Sequence, residues 1–154
     1  MHDPKETKLV RSAQLIFFAL MAGMVMFLGI VLFLSGEKLV FDPSDVPIYM
    51  YVLIGLIVME LPVLAFIHKP MYAAARKAES FDKQWTQYQT VCILRWALVE
   101  GICLFAVVSI LMTHNLIFLI PFAVVFAGFL ALYPSRQKFD TMIRDSGYAN
   151  VKTI

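Results

Sequence analysis

Three ionisable residues, Glu60, Arg95 and Glu100, fall inside stretches that are otherwise almost wholly apolar. Glu100 lies nine residues into the run 91–112, which is interrupted elsewhere only by Arg95 and Ser109. A charge at the centre of a membrane costs at least a few kcal/mol. A chain therefore keeps such a carboxylate only where it is paired, protonated or used. The chemistry open to this set is ion binding, proton exchange or a neutralised contact between helices.

The spacing constrains how the three can meet. Glu60 precedes the end of its apolar run by eight residues, and Glu100 follows the start of its own by nine. At 1.5 Å per helical residue, both sit roughly 12–14 Å from the same interface. Two carboxylates in one layer cannot both be ionised cheaply unless a cation intervenes. Arg95 is five residues from Glu100, about 140° around a helix, so the two do not share a face. Arg95 is expected to reach Glu60, to meet Glu100 of another subunit, or to snorkel to the headgroups. Pro62 frees the carbonyl of Val58 beside Glu60 and predicts a kink there. Gly101, next to Glu100, predicts a close helix approach, and so does Gly23 with Ala19 and Ala22 in the first helix.

These residues need helices to position them. Of 154 residues, 60% are hydrophobic and 16% charged, well below the quarter usual for a soluble domain. Four segments, 13–35, 48–68, 91–112 and 116–133, are long enough to span about 30 Å of hydrocarbon. The predicted fold is an all-α integral membrane four-helix bundle, since spanning helices satisfy their own backbone. The ten-residue alternation of a β-barrel is absent. The first segment is too long for a cleavable signal and lacks an A-x-A site, so it reads as an uncleaved anchor.

Orientation follows from the basic residues. Lys5, Lys8 and Arg11 lie before the first span; Lys69, Arg76, Lys77 and Lys83 lie between the second and third; Arg136, Lys138, Arg144 and Lys152 follow the fourth. The opposite side holds only Lys38. By the positive-inside rule the 1–12 tail and the 134–154 tail are both cytoplasmic, in a bacterial inner membrane. Asp42-Pro43 signals a turn, and Asp45 with Pro47 can start the second helix. The connection 69–90 is helix-forming around 73–78, with Ser80 able to cap a helix running through Trp85 and Tyr88. It predicts a helical hairpin projecting into the cytoplasm, either simple overhang or a docking surface for a cytoplasmic partner. Tyr49 and Tyr51 on one side, and Tyr72, Trp85 and Tyr133 on the other, suit interfacial belts. Ser135 can cap a short helix with Phe139, Met142 and Ile143 on one face and basic residues around it, lying on the membrane surface.

The stretch 97–108, Ala-Leu-Val-Glu-Gly-Ile-Cys-Leu-Phe-Ala-Val-Val, resembles the carboxylate-bearing helix of the proteolipid (c) subunits of rotary ATPases. By that resemblance Glu100 would be the carboxylate that binds H⁺ or Na⁺, on a hairpin with a cytoplasmic loop. The chain departs from that family in having only Gly55 in the partner helix, Arg95 near the site and two further helices. The pattern R-x-A-L-x-E-G-x-x-L-F is also similar to small four-helix bacterial inner-membrane proteins.

Two functions follow as expectations. One is a non-enzymatic accessory or oligomeric subunit, bound to the bilayer and to copies of itself or a larger membrane complex. The other is proton or cation translocation through Glu100 and Glu60. The spans hold no H-E-x-x-H, G-x-S-x-G or paired-Asp pattern for an enzyme, and nothing calls for a cofactor or a metal. Cys92 and Cys103 read as small packing residues, and Met21, Met24 and Met26 as adaptable packing. No basic patch interleaved with aromatics points to nucleic acid.

Overall fold

The computed structural model describes the backbone of residues 4–44, 48–77, 81–135 and 137–138, with side-chain surroundings for 10–44, 48–60, 62–63, 66, 83–135 and 137–138. The protein is all-α. Its helices are α1 (Pro4–Ser35), α2 (Ile48–Lys77), α3 (Phe81–Thr113) and α4 (Leu119–Ala131), with 3-10 turns at Gly36–Lys38 and Leu116–Phe118. No strand occurs among the described residues; Val40 and Asn115 form an isolated bridge. Two stretches, Val10–Lys38 and Lys83–Thr113, are long and apolar enough to cross a membrane. Ile48–Glu60 and Leu116–Ala131 are shorter apolar helical stretches.

Helix ends follow local chemistry. α1 is helical from Pro4, the first described residue, so the charged N-terminal stretch is helical earlier than the expected start at Ala13. It stops at Gly36, whose φ of +47° lies in the left-handed region that glycine reaches without strain. α3 stops where His114 takes φ +54°, a conformation that costs a non-glycine residue roughly 1–2 kcal/mol. α4 has 13 residues, a rise of about 20 Å, and carries Pro121 in its first turn, where a missing N–H is harmless. The 3-10 turn before it shortens the expected 116–133 helix from its front.

α2 runs past the expected end at His68 and continues through both Pro62 and Pro70. α3 runs unbroken through Trp85 and Tyr88, as the helix-forming connection predicts. Trp85 is buried, with its ring beside that of Tyr88. Asp45, Pro47, Ser80, Arg136 and the stretch 139–154 lie outside the described residues, as do the side chains of 67–82.

α3 is the central helix, packed against α1, α2 and α4. Ala13, Phe17, Met24 and Val31 form the buried stripe of α1, spaced by four and seven residues as one helical face requires. α3 buries residues around most of its circumference, including Val91, Trp96, Val99, Cys103, Val107 and Ile110. α2 contributes one fully buried side chain, Leu53, among the described residues.

Candidate functional site: the groove between α2 and α3

The frame around the site is welded at both ends. At one end, Asn115 ties the first loop to the α3–α4 turn. Its Nδ2 donates to the Asp42 carbonyl at 2.8 Å, and its Oδ1 accepts from the N–H groups of Ile117 at 3.0 Å and Asp42 at 3.3 Å. Beside it, the Val40 N–H donates to the His114 carbonyl at 2.9 Å and the Leu116 N–H to the Val40 carbonyl at 2.8 Å. The expected turn at Asp42-Pro43 is present, closed by the Ser44 N–H on Asp42 Oδ1 at 2.9 Å. Asparagine just ahead of a helical turn is a cap by chemistry, so Thr113-His114-Asn115 carried the signal; its reach to Asp42, 73 residues away, did not show.

At the other end, Phe17 of α1 is the junction. Its ring stacks on Phe129 of α4 at 4.5 Å, meets Trp96 of α3 edge-on at 5.4 Å and Tyr133 edge-on at 5.6 Å. Trp96 Nε1 donates to the Leu132 carbonyl, and Gln14 Nε2 to the Pro134 carbonyl, both at 3.4 Å. Lys138 Nζ donates to the carbonyls of Ala131 and Tyr133, at 2.9 and 3.1 Å, closing the C-terminus of α4. Ser135 accepts from the Lys138 N–H at 3.3 Å, as a cap should.

α2 packs along α3. Its described side chains, 48–60, 62, 63 and 66, show no hydrogen bond, ion pair or ring contact to another element. Between α2 and α3 runs a laterally open groove of about 420 Å³. Leu56, Met59, Glu60 and Val63 line one wall, and Ala97, Leu98, Gly101, Ile102 and Phe105 the other. Glu60 is the only polar side chain among these. Counting from the start of α2, it lies about 18 Å down the helix, level with Gly101 at a similar distance from the end of α3.

The sequence-derived charges are brought near one another without bonding. Arg95 is close enough for its charge to act on Glu60, yet no ion pair joins them. Glu60 Oε1 and Arg95 Nε are both buried without a hydrogen-bond partner. Glu100 is half-buried and does not line the groove; it shares its helix face with the buried Trp96, Cys103 and Val107. Cys103 is within electrostatic reach of both carboxylates. A bonded Glu/Arg cluster is therefore absent among the described residues.

A Cβ added at Gly101 or Gly23 would meet nothing within 4 Å, so among the described residues no other helix approaches closely at either glycine. Pro62 is exposed, and α2 stays helical through it. No group of three or more metal-ligating side chains occurs among the described residues. No protein-family model, curated protein or solved structure matches the chain.

Proposed function

We propose that this chain is a non-enzymatic membrane subunit that docks on another membrane protein through the α2–α3 side. In this reading all four helices span the bilayer of a bacterial inner membrane, with both termini cytoplasmic. α1, α3 and α4 form the scaffold, and α2 completes a recognition face. The observation that carries the proposal is Glu60: a carboxylate oxygen buried without a partner, in an apolar groove open to one side. Buried polar groups are normally satisfied, and an orphan marks a missing partner.

The alternative, ion translocation through Glu60 and Glu100, needs polar groups leading from that layer to both faces. Toward the Asn115 end, Ser109 and Thr113 bond back onto their own helix, to the carbonyls of Phe105 at 2.8 Å and Ser109 at 2.7 Å. Both hydroxyls thus spend their donor protons locally, which favours assembly over conduction.

A photo-crosslinking side chain placed at Met59, on the groove, and at Val124, on the outer face of α4, tests the reading in native membranes. A discrete protein adduct is expected from position 59 and only lipid adducts from 124. An adduct at twice the 17.5 kDa chain mass would mean self-assembly. Absence of any protein adduct from position 59 would remove the docking reading. Proton or cation flux in liposomes, abolished by Glu60→Gln or Glu100→Gln, would establish translocation in its place.

A further inference from the structure

We infer that the α2–α3 groove is the seat for one transmembrane helix of a different protein, bearing a single lysine or arginine at the depth of Glu60. This rests on the docking reading above and specifies the partner's chemistry.

The spacing of the walls is that of a helix seat. On α2 the lining residues Leu56, Glu60 and Val63 lie at i, i+4 and i+7; on α3, Ala97, Gly101 and Phe105 lie at i, i+4 and i+8. These intervals repeat along one face of each helix, so the lining extends for about two turns. The floor at Ala97 and Gly101 is small, and nothing stands within 4 Å of where a Cβ at Gly101 would lie. Small residues let a third backbone approach closely inside a bilayer, where packing supplies the attraction. The other sides of α3 are already taken by α1 and α4.

Charge selects the occupant. Glu60 lies at the middle of its wall, and Arg95, though near, does not bond to it. A base on the incoming helix would meet the carboxylate in a medium where an unpaired charge is costly.

A second copy of this chain does not supply that base. The first and fourth apolar segments, 13–35 and 116–133, contain no basic residue; within the other two the basic residues are His68, eight residues beyond Glu60 at the end of its run, and Arg95, half-buried on α3. Two copies meeting groove to groove would set Glu60 against Glu60, a like-charge pair. The partner is therefore another protein.

The test uses the full-length chain in lipid vesicles and a synthetic Leu/Ala helix of spanning length with one central lysine. Energy transfer is read from a dye on that helix to a dye on a cysteine introduced at the exposed Ser44. The lysine helix is expected to associate about tenfold more tightly than the same helix with leucine there, the ratio that an interhelical polar contact of about 1.4 kcal/mol supplies. Glu60→Gln should remove that difference. Gly101→Leu, which fills the floor while leaving Glu60 in place, should weaken binding of both helices. Unchanged circular dichroism and elution volume establish that each variant is folded.

Equal binding of the lysine and leucine helices would overturn the charge assignment. Displacement of the lysine helix by tetraphenylphosphonium with saturable binding of that cation, lost in Glu60→Gln, would overturn it in favour of a small lipophilic cation. If position 59 still crosslinks to a protein in native membranes when the lysine helix fails, docking stands and only the basic partner falls.

Discussion

The two sides of α3 are held by different physics. Toward α1 and α4, rings stack around Phe17 and hydrogen bonds close both ends of the bundle. Toward the described side chains of α2, 48–60 with 62, 63 and 66, contact is apolar and leaves a groove beside an orphan carboxylate oxygen. Well-packed interiors leave few voids, and buried polar groups find partners. Orphan polar atoms occur on both sides, Ser35 Oγ and His114 Nδ1 among them; on the α2 side the orphan, Glu60 Oε1, coincides with a groove. Local violations of consistency concentrate where a protein binds something. On the docking reading proposed above, the contrast separates a region that holds the fold from one that receives a partner.

The largest effect should come from the junction of the stable side. Phe17→Ala removes a side chain only 1% exposed and its three ring partners beyond α1, and a loss of about 3–5 kcal/mol is expected in SDS titration of the folded protein. A loss below 1 kcal/mol would erase the distinction between the two sides. Next, Asn115→Ala leaves the Asp42 and Ile117 backbone groups without their partner and should cost about 2–3 kcal/mol, with faster hydrogen exchange over 39–44. Slow exchange in that variant would show that the Val40 bridge alone holds the loop.

On the α2 side the sign should change. Glu60→Leu replaces an unpartnered carboxylate by an apolar group, so the isolated chain should keep its stability or gain up to about 2 kcal/mol. A loss of 3 kcal/mol or more would mean that Glu60 has an internal partner, and the comparison would break. The smallest effect belongs to a position outside both regions. Gly36→Ala forces a left-handed backbone on a residue with Cβ and should cost roughly 1 kcal/mol, although the site has open space around it.

The helical elements were legible because apolar length is a strong signal, and the turn at Asp42 and the cap at Ser135 because short polar side chains have few local uses. Phase was not legible. α1 is apolar all round, so nothing in its sequence distinguishes Phe17, at the junction, from Phe18, which is 46% exposed. Periodicity tells faces apart only where one of them is polar. Depth arithmetic on Glu60 and Glu100 placed them near a common layer, and Cys103 lies within reach of both. The rotation of each helix was invisible to that arithmetic, so it did not show that Glu60 lines a groove while Glu100 stands on the face of Trp96. At Gly101 the open space where a Cβ would stand is likewise a matter of rotation, which spacing alone does not give.

The tie between Asp42 and Asn115 crosses 73 residues of chain, and this sets an order of assembly during synthesis. When α1 and α2 leave the ribosome, the residue that will anchor the loop joining them has not yet been made. The two helices must wait, side by side or apart, until α3 and the turn after it arrive. A ribosome stalled before Asn115 has emerged should hold a chain with an untethered first loop, open to protease. Once Asn115 clears the exit tunnel, that loop should close. That clasp is thus a clock on the chain's own translation.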